Sequence, residues 1–196
     1  CGGMTAFVGK MNAKAAELGL TDTHFDNPNG LPSDTHYTTA HELAKITAAA
    51  LKDPVFRQIV STKSCTVSGH ALSNHNRLLS MYDGAIGVKT GFTRAAGRCL
   101  VSAADRNGRT IIAVTLNDPN DWNDHMEMLD AGFAQYSEVT LHKAGDTIAN
   151  ARVFGGDTAS VPLAAKNTVT AYLLPGEKRE AAARALRRKN SAMHRS

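Results

Sequence analysis

The segment "GAIGVKTGFTRAAGRCLVSAADRNGRTIIAVTLN" (Gly84–Asn117) decides the fold class. It contains three apolar runs rich in β-branched residues, "AIGVKT", "GRCLVSAAD" and "RTIIAVTLN", and each run is typical of a strand. The Asn-Gly pair in "DRNGR", between the second and third runs, predicts a tight hairpin turn. The segment therefore predicts an antiparallel sheet.

Helical patterns lie on both sides of these strands, and a loop rich in Asn, Pro and Gly follows the first helix. Glu42 lies in the first turn of the second helix, which Thr38 or Thr39 can cap, and we expect Glu42 to be a cap or a buried hydrogen-bond partner. Pro54 opens the third helix. The predicted helical segments are "MTAFVGKMNAKAAELGL", "TAHELAKITAAALK", "PVFRQIV" and, after the strands, "NDWNDHMEMLDAGFAQY".

Charge and length exclude several classes of protein. The net charge is +4, but the last 21 residues alone carry seven Lys or Arg and two Glu. The other 175 residues are therefore nearly neutral and show no basic footprint for nucleic acid. The basic, alanine-rich tail "REAAARALRRK" is interpreted as a solvated end, with contact to an anionic membrane surface as the alternative.

Neither cysteines nor histidines predict a metal site. Cys1, Cys65 and Cys99 are odd in number and lack CxxC spacing, so Cys65 and Cys99 are expected to be small buried residues in strands. The stretch "HELAK" (His41–Lys45) begins like the zinc motif HExxH, but lysine stands where the second histidine would be. No metal or organic cofactor is predicted.

The tripeptide Lys89-Thr90-Gly91 is the strongest chemical signal in the sequence. A strand edge offers backbone groups to an extended peptide, lysine supplies a positive charge and can relay protons, and glycine lets a substrate backbone approach closely. Lys-Thr-Gly forms one wall of the acyl-transfer site in serine enzymes that recognise β-lactams. Alone, such a tripeptide is weak evidence, so its surroundings decide the interpretation.

Four stretches surround or include this tripeptide in a recognisable order: "GLPSDTHYTTAHELAKI", "NHNRLL", the Gly84–Asn117 segment and "DWNDHMEMLDAGF". Together they closely resemble the low-molecular-mass penicillin-binding proteins that are serine-type D-alanyl-D-alanine carboxypeptidases, especially the form in Gram-positive, spore-forming bacteria. The resemblance runs from about Phe7 to Phe133 and continues into the family's β-rich C-terminal domain.

The resemblance implies an α/β (α+β) fold of the serine β-lactamase/transpeptidase type, with an antiparallel sheet and flanking helices. Residues 1–137 would be the C-terminal part of the transpeptidase-like domain, residues 138–176 the start of the β-rich domain, and residues 177–196 a basic tail. It also implies an extracytoplasmic location, either secreted or at the outer face of the cytoplasmic membrane, and a role in cell-wall remodelling and cell shape.

The resemblance also implies roles for the site residues. Lys89 would be catalytic, holding the terminal D-Ala carboxylate of a peptidoglycan stem and supporting proton transfer. Thr90 would hydrogen-bond that carboxylate, Gly91 would let the peptide lie against the strand, and the backbone N–H of Phe92 would donate to the oxyanion. A serine would attack the D-Ala-D-Ala bond, and β-lactam antibiotics would acylate the same serine.

The sequence departs from the family pattern at two places. It contains neither Ser-x-x-Lys nor Ser-x-Asn, which in the family precede "FVGKMN". We therefore expect this chain alone to be inactive and to need an N-terminal segment of the same protein. In addition, some relatives carry a carboxylate-binding arginine where this chain has Asp121 or a neighbour, and His125 is a candidate replacement.

Two other functions stay open at this point. The chain is alternatively a non-catalytic peptidoglycan-binding fragment or a β-lactamase-like hydrolase. Asn74 and Asn76 are interpreted either as groups that order the site or as plain turn residues.

Overall fold

The computed structural model describes residues 2–177, which divide into two units. The first unit ends at Ala131 and the second begins at Gly132. In chain order, the elements that begin in the first unit are α1 (Met4–Glu17), α2 (Ala40–Ala50), α3 (Pro54–Ser61), β1 (Ser64–Val67), β2 (His70–Ser73), α4 (Leu78–Met81), β3 (Ala85–Thr93), β4 (Gly97–Arg106), β5 (Arg109–Thr115) and α5 (Asp121–Gln135).

Strands β3, β4 and β5 form the antiparallel sheet that the apolar runs predict, in the order β3-β4-β5. Asn107 and Gly108 have positive φ values of 54° and 74°, which is the backbone of a tight hairpin turn between β4 and β5. The central strand β4 is the most buried, because it has a strand on each side and side chains packed on both faces.

Helices α2 and α3 cover one face of the sheet. Their core comprises the buried residues Leu51, Val88 and Ala103, and five partly buried apolar side chains pack against it. These five are Phe56, Val60, Ile86, Val101 and Ile112. Burial of apolar area at about 25 cal/mol per Å² drives this packing.

The helix starts follow the predicted capping chemistry. Thr39 is the N-cap of α2, and its side chain accepts a hydrogen bond from the backbone N–H of Glu42. Asp53 caps α3 in the same way, with Pro54 at the first helical position. Helix α1 ends at Glu17, two residues before Gly19 with its positive φ of 69°.

Glu42 is the buried hydrogen-bond partner that its position predicts. Glu42 is 5% exposed, and its carboxylate accepts from the backbone N–H groups of Thr21 and Asp22 and from the hydroxyl of Thr23. The Thr23 hydroxyl lowers the pKa of Glu42 against the opposing effect of desolvation. This one side chain therefore ties the loop after α1 to the start of α2.

The second unit contains short paired strands, as the sequence predicts from about Glu138 onward. Two antiparallel pairs are present, β6 (Ser137–His142) with β9 (Val169–Leu173) and β7 (Thr147–Arg152) with β8 (Ser160–Ala164). The predicted tail helix lies outside the described residues. Within residues 2–177, no helix is long and apolar enough to cross a membrane.

The cysteine expectation is wrong in its burial. Cys65 and Cys99 lie in β1 and β4 as predicted, but Cys65 is exposed and Cys99 is only partly buried. Cys65 is exposed because it lies in the β1–β2 hairpin, and all eight strand residues of this hairpin are exposed.

Candidate functional site

Strand β3 presents Lys89, Thr90 and Gly91 along an open edge of the sheet. Within the described residues β3 pairs with β4 alone, so its other edge carries no strand. An edge strand leaves alternate backbone N–H and C=O groups without a ladder partner, and an extended peptide can pair with them. The candidate site therefore lies along a strand edge in the described part of the chain.

Side chains at this edge leave the strand on alternate faces. Lys89 lies opposite Val101 and Thr90 lies opposite Leu100, so the two side chains leave opposite faces of the sheet. Lys89 is exposed, and its ammonium donates to the carbonyl of Thr90. Lysine and threonine can thus reach a group at the edge from two sides, with the side chain of Phe92, 71% exposed, beyond them.

Gly87 and Gly91 of β3 differ in the space that a side chain would have at each position. Gly87 has a φ of 143°, and an added Cβ would lie 2.8 Å from Cγ2 of Val60 in α3. Gly91 has no such constraint, because an added Cβ would meet nothing closer than 3.8 Å, at the carbonyl of Cys99. The fold therefore requires glycine at position 87 but not at position 91.

Beside this edge lies an ion pair that the sequence analysis did not predict. The guanidinium of Arg98 donates through Nε and Nη2 to both carboxylate oxygens of Asp121, at 2.7–3.1 Å. The side chain of Asp121 is 5% exposed and that of Arg98 is 42% exposed. These hydrogen bonds raise the pKa of Arg98 further. No local sequence signal joins the two residues, which are 23 positions apart.

His125, the candidate replacement for a carboxylate-binding arginine, is turned away from solvent. It is fully buried in α5, with Nδ1 2.6 Å from Oγ of Ser102 and Nε2 3.0 Å from Oγ1 of Thr115. Both ring nitrogens are occupied, so His125 does not bind substrate in this arrangement. Ser102 is only 1% exposed and is likewise out of reach as a nucleophile.

Burial makes His125 a source of pH-dependent stability. Desolvation lowers the pKa of this imidazole below its usual 6.5, although Asp121, Asp118 and Asp124 act in the opposite direction. The unfolded chain thus binds a proton that folded His125 excludes, so stability is full above about pH 6.5 and falls below it. The slope from one such group is at most about 1.4 kcal/mol per pH unit.

We expect His125→Gln to reduce the loss of stability between pH 7.5 and pH 5.5, because glutamine can donate and accept hydrogen bonds without titrating. Urea denaturation at several pH values measures this slope. His70→Gln, an exposed histidine in β2, is the matched control and should leave the slope unchanged. Equal slopes for the wild-type protein and His125→Gln would contradict the assignment.

Asn74 and Asn76 act as turn residues in the described structure. Asn74 donates to the carbonyl of Thr62 at 3.0 Å, and its side-chain oxygen accepts from the backbone N–H of Asn76 at 2.9 Å. Asn76 in turn accepts from the N–H of Leu78 at 3.1 Å. For Asn74 these contacts favour the turn role, whereas Asn76 is 3% exposed and its Nδ2 has no hydrogen-bond partner within residues 2–177.

Two open depressions of about 400 and 380 Å³ adjoin α4, and neither is lined by Lys89, Thr90 or Gly91. Residues 2–177 contain no cluster of three or more His, Cys, Asp or Glu that could hold a metal ion.

Comparison with protein families gives two matches. The profile described as D-alanyl-D-alanine carboxypeptidase matches residues 1–120, and the profile described as the C-terminal domain of penicillin-binding protein 5 matches residues 136–190. Among curated proteins, the chain is 35% identical over 179 residues to D-alanyl-D-alanine carboxypeptidase DacF of Bacillus subtilis, covering 87% of the chain and 46% of that protein.

Two solved structures are also similar to this chain. The Streptomyces K15 DD-transpeptidase is 40% identical, with a TM-score of 0.63, over 66% of this chain and 55% of that one. Penicillin-binding protein 5 of Haemophilus influenzae is 30% identical, with a TM-score of 0.73, over 90% of this chain and 53% of that one. The chain thus spans about half the length of the relatives that it matches.

Proposed function

Because this chain belongs to the D-alanyl-D-alanine carboxypeptidase family, we propose that its protein removes the terminal D-Ala from peptidoglycan pentapeptide stems. The resemblance expected from the sequence motifs is confirmed, and so is the fold class, an antiparallel sheet with flanking helices and a β-rich C-terminal part. The family is enzymatic and acts on peptidoglycan outside the cytoplasm, so an extracytoplasmic location is part of the proposal.

The observation that carries the proposal is the Lys-Thr-Gly sequence on an open strand edge. A stem peptide would lie antiparallel or parallel to β3 and pair with its free backbone groups. Lys89 would attract the terminal carboxylate and assist proton transfer, Thr90 would hydrogen-bond the carboxylate, and the N–H of Phe92 would donate to the oxyanion. This arrangement recognises a short peptide ending in a free carboxylate.

In the proposed reaction a serine Oγ attacks the carbonyl carbon of the penultimate D-Ala. The Oγ–C bond forms, the C–N bond breaks, and the proton that the serine hydroxyl gives up is passed to the leaving amine of the terminal D-Ala. Water then hydrolyses the acyl-enzyme and restores the serine. Neither Ser-x-x-Lys nor Ser-x-Asn occurs in the 196 residues, so the proposal takes the nucleophile from sequence encoded upstream of Cys1.

Release of D-Ala tests the activity directly. The chain extended by its natural upstream sequence is incubated with a peptide ending in D-Ala-D-Ala, and mass spectrometry should show loss of one D-Ala. Rapid turnover of penicillin without a persistent acyl-enzyme would favour a β-lactamase-like hydrolase. Peptide binding without either reaction would favour the non-catalytic peptidoglycan-binding module.

We expect Gly91→Ala to impair peptide docking while sparing the fold. An added methyl at position 91 meets no close contact within the protein, so the free energy of unfolding should change by less than about 1 kcal/mol. The same methyl would stand on one face of β3, beside its cross-strand neighbour Cys99, and would obstruct a peptide that lies close to this strand, so we expect kcat/KM for the peptide to fall about 10-fold or more.

Gly87→Ala is the matched control for the fold. Its methyl would collide with Val60 and its φ is positive, so it should lower the urea midpoint more than Gly91→Ala does. Unchanged peptide kinetics in Gly91→Ala would contradict the proposal that Gly91 lets the peptide backbone lie close to β3.

A further inference from the structure

We propose that Asn29 is a site of spontaneous deamidation, which converts it to aspartate and isoaspartate, whereas the fold protects Asn107 from the same reaction. The sequence contains two Asn-Gly pairs, Asn29-Gly30 in the loop after α1 and Asn107-Gly108 in the β4–β5 turn. A glycine after asparagine favours the reaction, because it has no side chain to hinder its backbone nitrogen. The two pairs differ in their contacts, and this inference does not depend on the proposed function.

The reaction needs only the backbone of the next residue and water. The backbone nitrogen of Gly30 gives its proton to a solvent base and attacks Cγ of Asn29. The N–Cγ bond forms, the Cγ–Nδ2 bond breaks, and Nδ2 takes up a proton and leaves as ammonia. Water then opens the cyclic imide at either of its carbonyls, which leaves aspartate or isoaspartate at position 29. The sum is the uptake of water and the release of ammonia, with no change in oxidation state.

Asn29 and Gly30 lie at an exposed loop tip whose two ends are joined. The side chain of Asn27 donates to the carbonyl of Leu31 at 2.9 Å and accepts from its N–H at 3.0 Å. Residues 28–30, between these anchors, are exposed. Within residues 2–177, no hydrogen bond engages the side chain of Asn29 or the N–H of Gly30. No contact in this part of the chain therefore keeps the attacking nitrogen away from Cγ or from solvent base.

Asn107 and Gly108 are also exposed, but the strands and a carboxylate restrain them. Arg106 and Arg109 are paired on either side of the turn, which fixes the positive φ values of both turn residues. The N–H of Gly108 donates to the carboxylate of Asp105. Loss of this proton would place a second negative charge beside the carboxylate, which is unfavourable. The fixed turn and the occupied N–H both oppose attack on Asn107.

The test follows both asparagines in the extended protein during incubation at mildly alkaline pH, by digestion and peptide mass spectrometry. In the folded protein we expect Asn29 to be converted roughly 10-fold faster than Asn107 or more, because reaction depends on how closely the two groups can approach. In urea, which removes the contacts of both pairs, the two rates should become similar. The rate at Asn29 should also rise with pH, because the attacking nitrogen must first lose its proton.

Three variants identify the cause of a difference in rate. Asn29→Gln should abolish conversion at position 29 and leave the rate at Asn107 unchanged. Asp105→Asn removes the charge beside the N–H of Gly108 and should raise the rate at Asn107. Arg57→Gln removes the ion pair between Arg57 and Asp105 but keeps the Asp105 carboxylate, so it is the matched control and should leave that rate low.

Equal rates at the two asparagines in the folded protein would overturn the proposal. So would an Asn29 that is converted in urea but not in the folded protein. An unchanged rate at Asn107 in Asp105→Asn would overturn the protective role of Asp105.

Discussion

Lys89→Ala should lower kcat/KM for a D-Ala-D-Ala peptide by about 10²- to 10⁴-fold, the range typical of a lost general acid or base. The substitution removes both the positive charge at the peptide carboxylate and the proton relay. Lys89 is exposed, and its ammonium contacts only the carbonyl of the next residue in the described structure, so the free energy of unfolding should change by less than about 0.5 kcal/mol. Steady-state kinetics on the extended protein measures the effect.

A second substitution at the same position separates the two roles of Lys89. Lys89→Arg keeps the positive charge but cannot give up its proton, so we expect KM to stay near the wild-type value while kcat falls. Lys52→Ala removes an exposed lysine from the turn after α2 and is the control, with unchanged kinetics expected. A loss of less than 10-fold in Lys89→Ala would contradict a catalytic role.

Leu129→Ala should destabilise the protein by about 2–5 kcal/mol, as is typical when a fully buried leucine is truncated. Leu129 is 0% exposed in α5, in the same buried stripe as His125 one turn earlier. Alanine has the higher helix propensity, so the loss would come from burial and from the cavity left behind rather than from the helix itself.

The neighbouring residue provides the control for this loss. Met128 is 38% exposed in the same helix, and Met128→Ala should cost less than about 1 kcal/mol. Urea denaturation with unchanged m-values measures both variants. Equal losses at positions 128 and 129 would contradict the packing of α5 described above.

The sequence predicted those features that depend on neighbouring residues. The Asn-Gly turn, the Thr39 cap and the three apolar runs all carry local signals, and each forms the element expected from it. Lys89-Thr90-Gly91 was likewise recognisable in the sequence, because its chemistry resides in three consecutive residues and the surrounding motifs name the family. Its assignment as the substrate-binding part of the site stays a prediction.

The features that sequence reasoning missed depend on contacts between distant residues. The buried positions of α5 are Asp121, His125 and Leu129, and the apolar spacing of this helix gives no indication that the first two are buried. Two polar side chains are buried there because Arg98, Ser102 and Thr115 supply their partners. No periodicity in the helix alone could reveal partners that lie on β4 and β5.

Covalent labelling by a fluorescent penicillin, detected on a gel, tests the central claim most directly. The 196-residue chain and the same chain extended by its natural upstream sequence are treated in parallel. We predict that only the extended protein is labelled, and that Lys89→Ala labels more slowly because the acyl-transfer step loses its proton relay. Absence of labelling in the extended wild-type protein would contradict the assignment as a serine carboxypeptidase, and labelling of the 196-residue chain alone would show that the nucleophile lies among these residues.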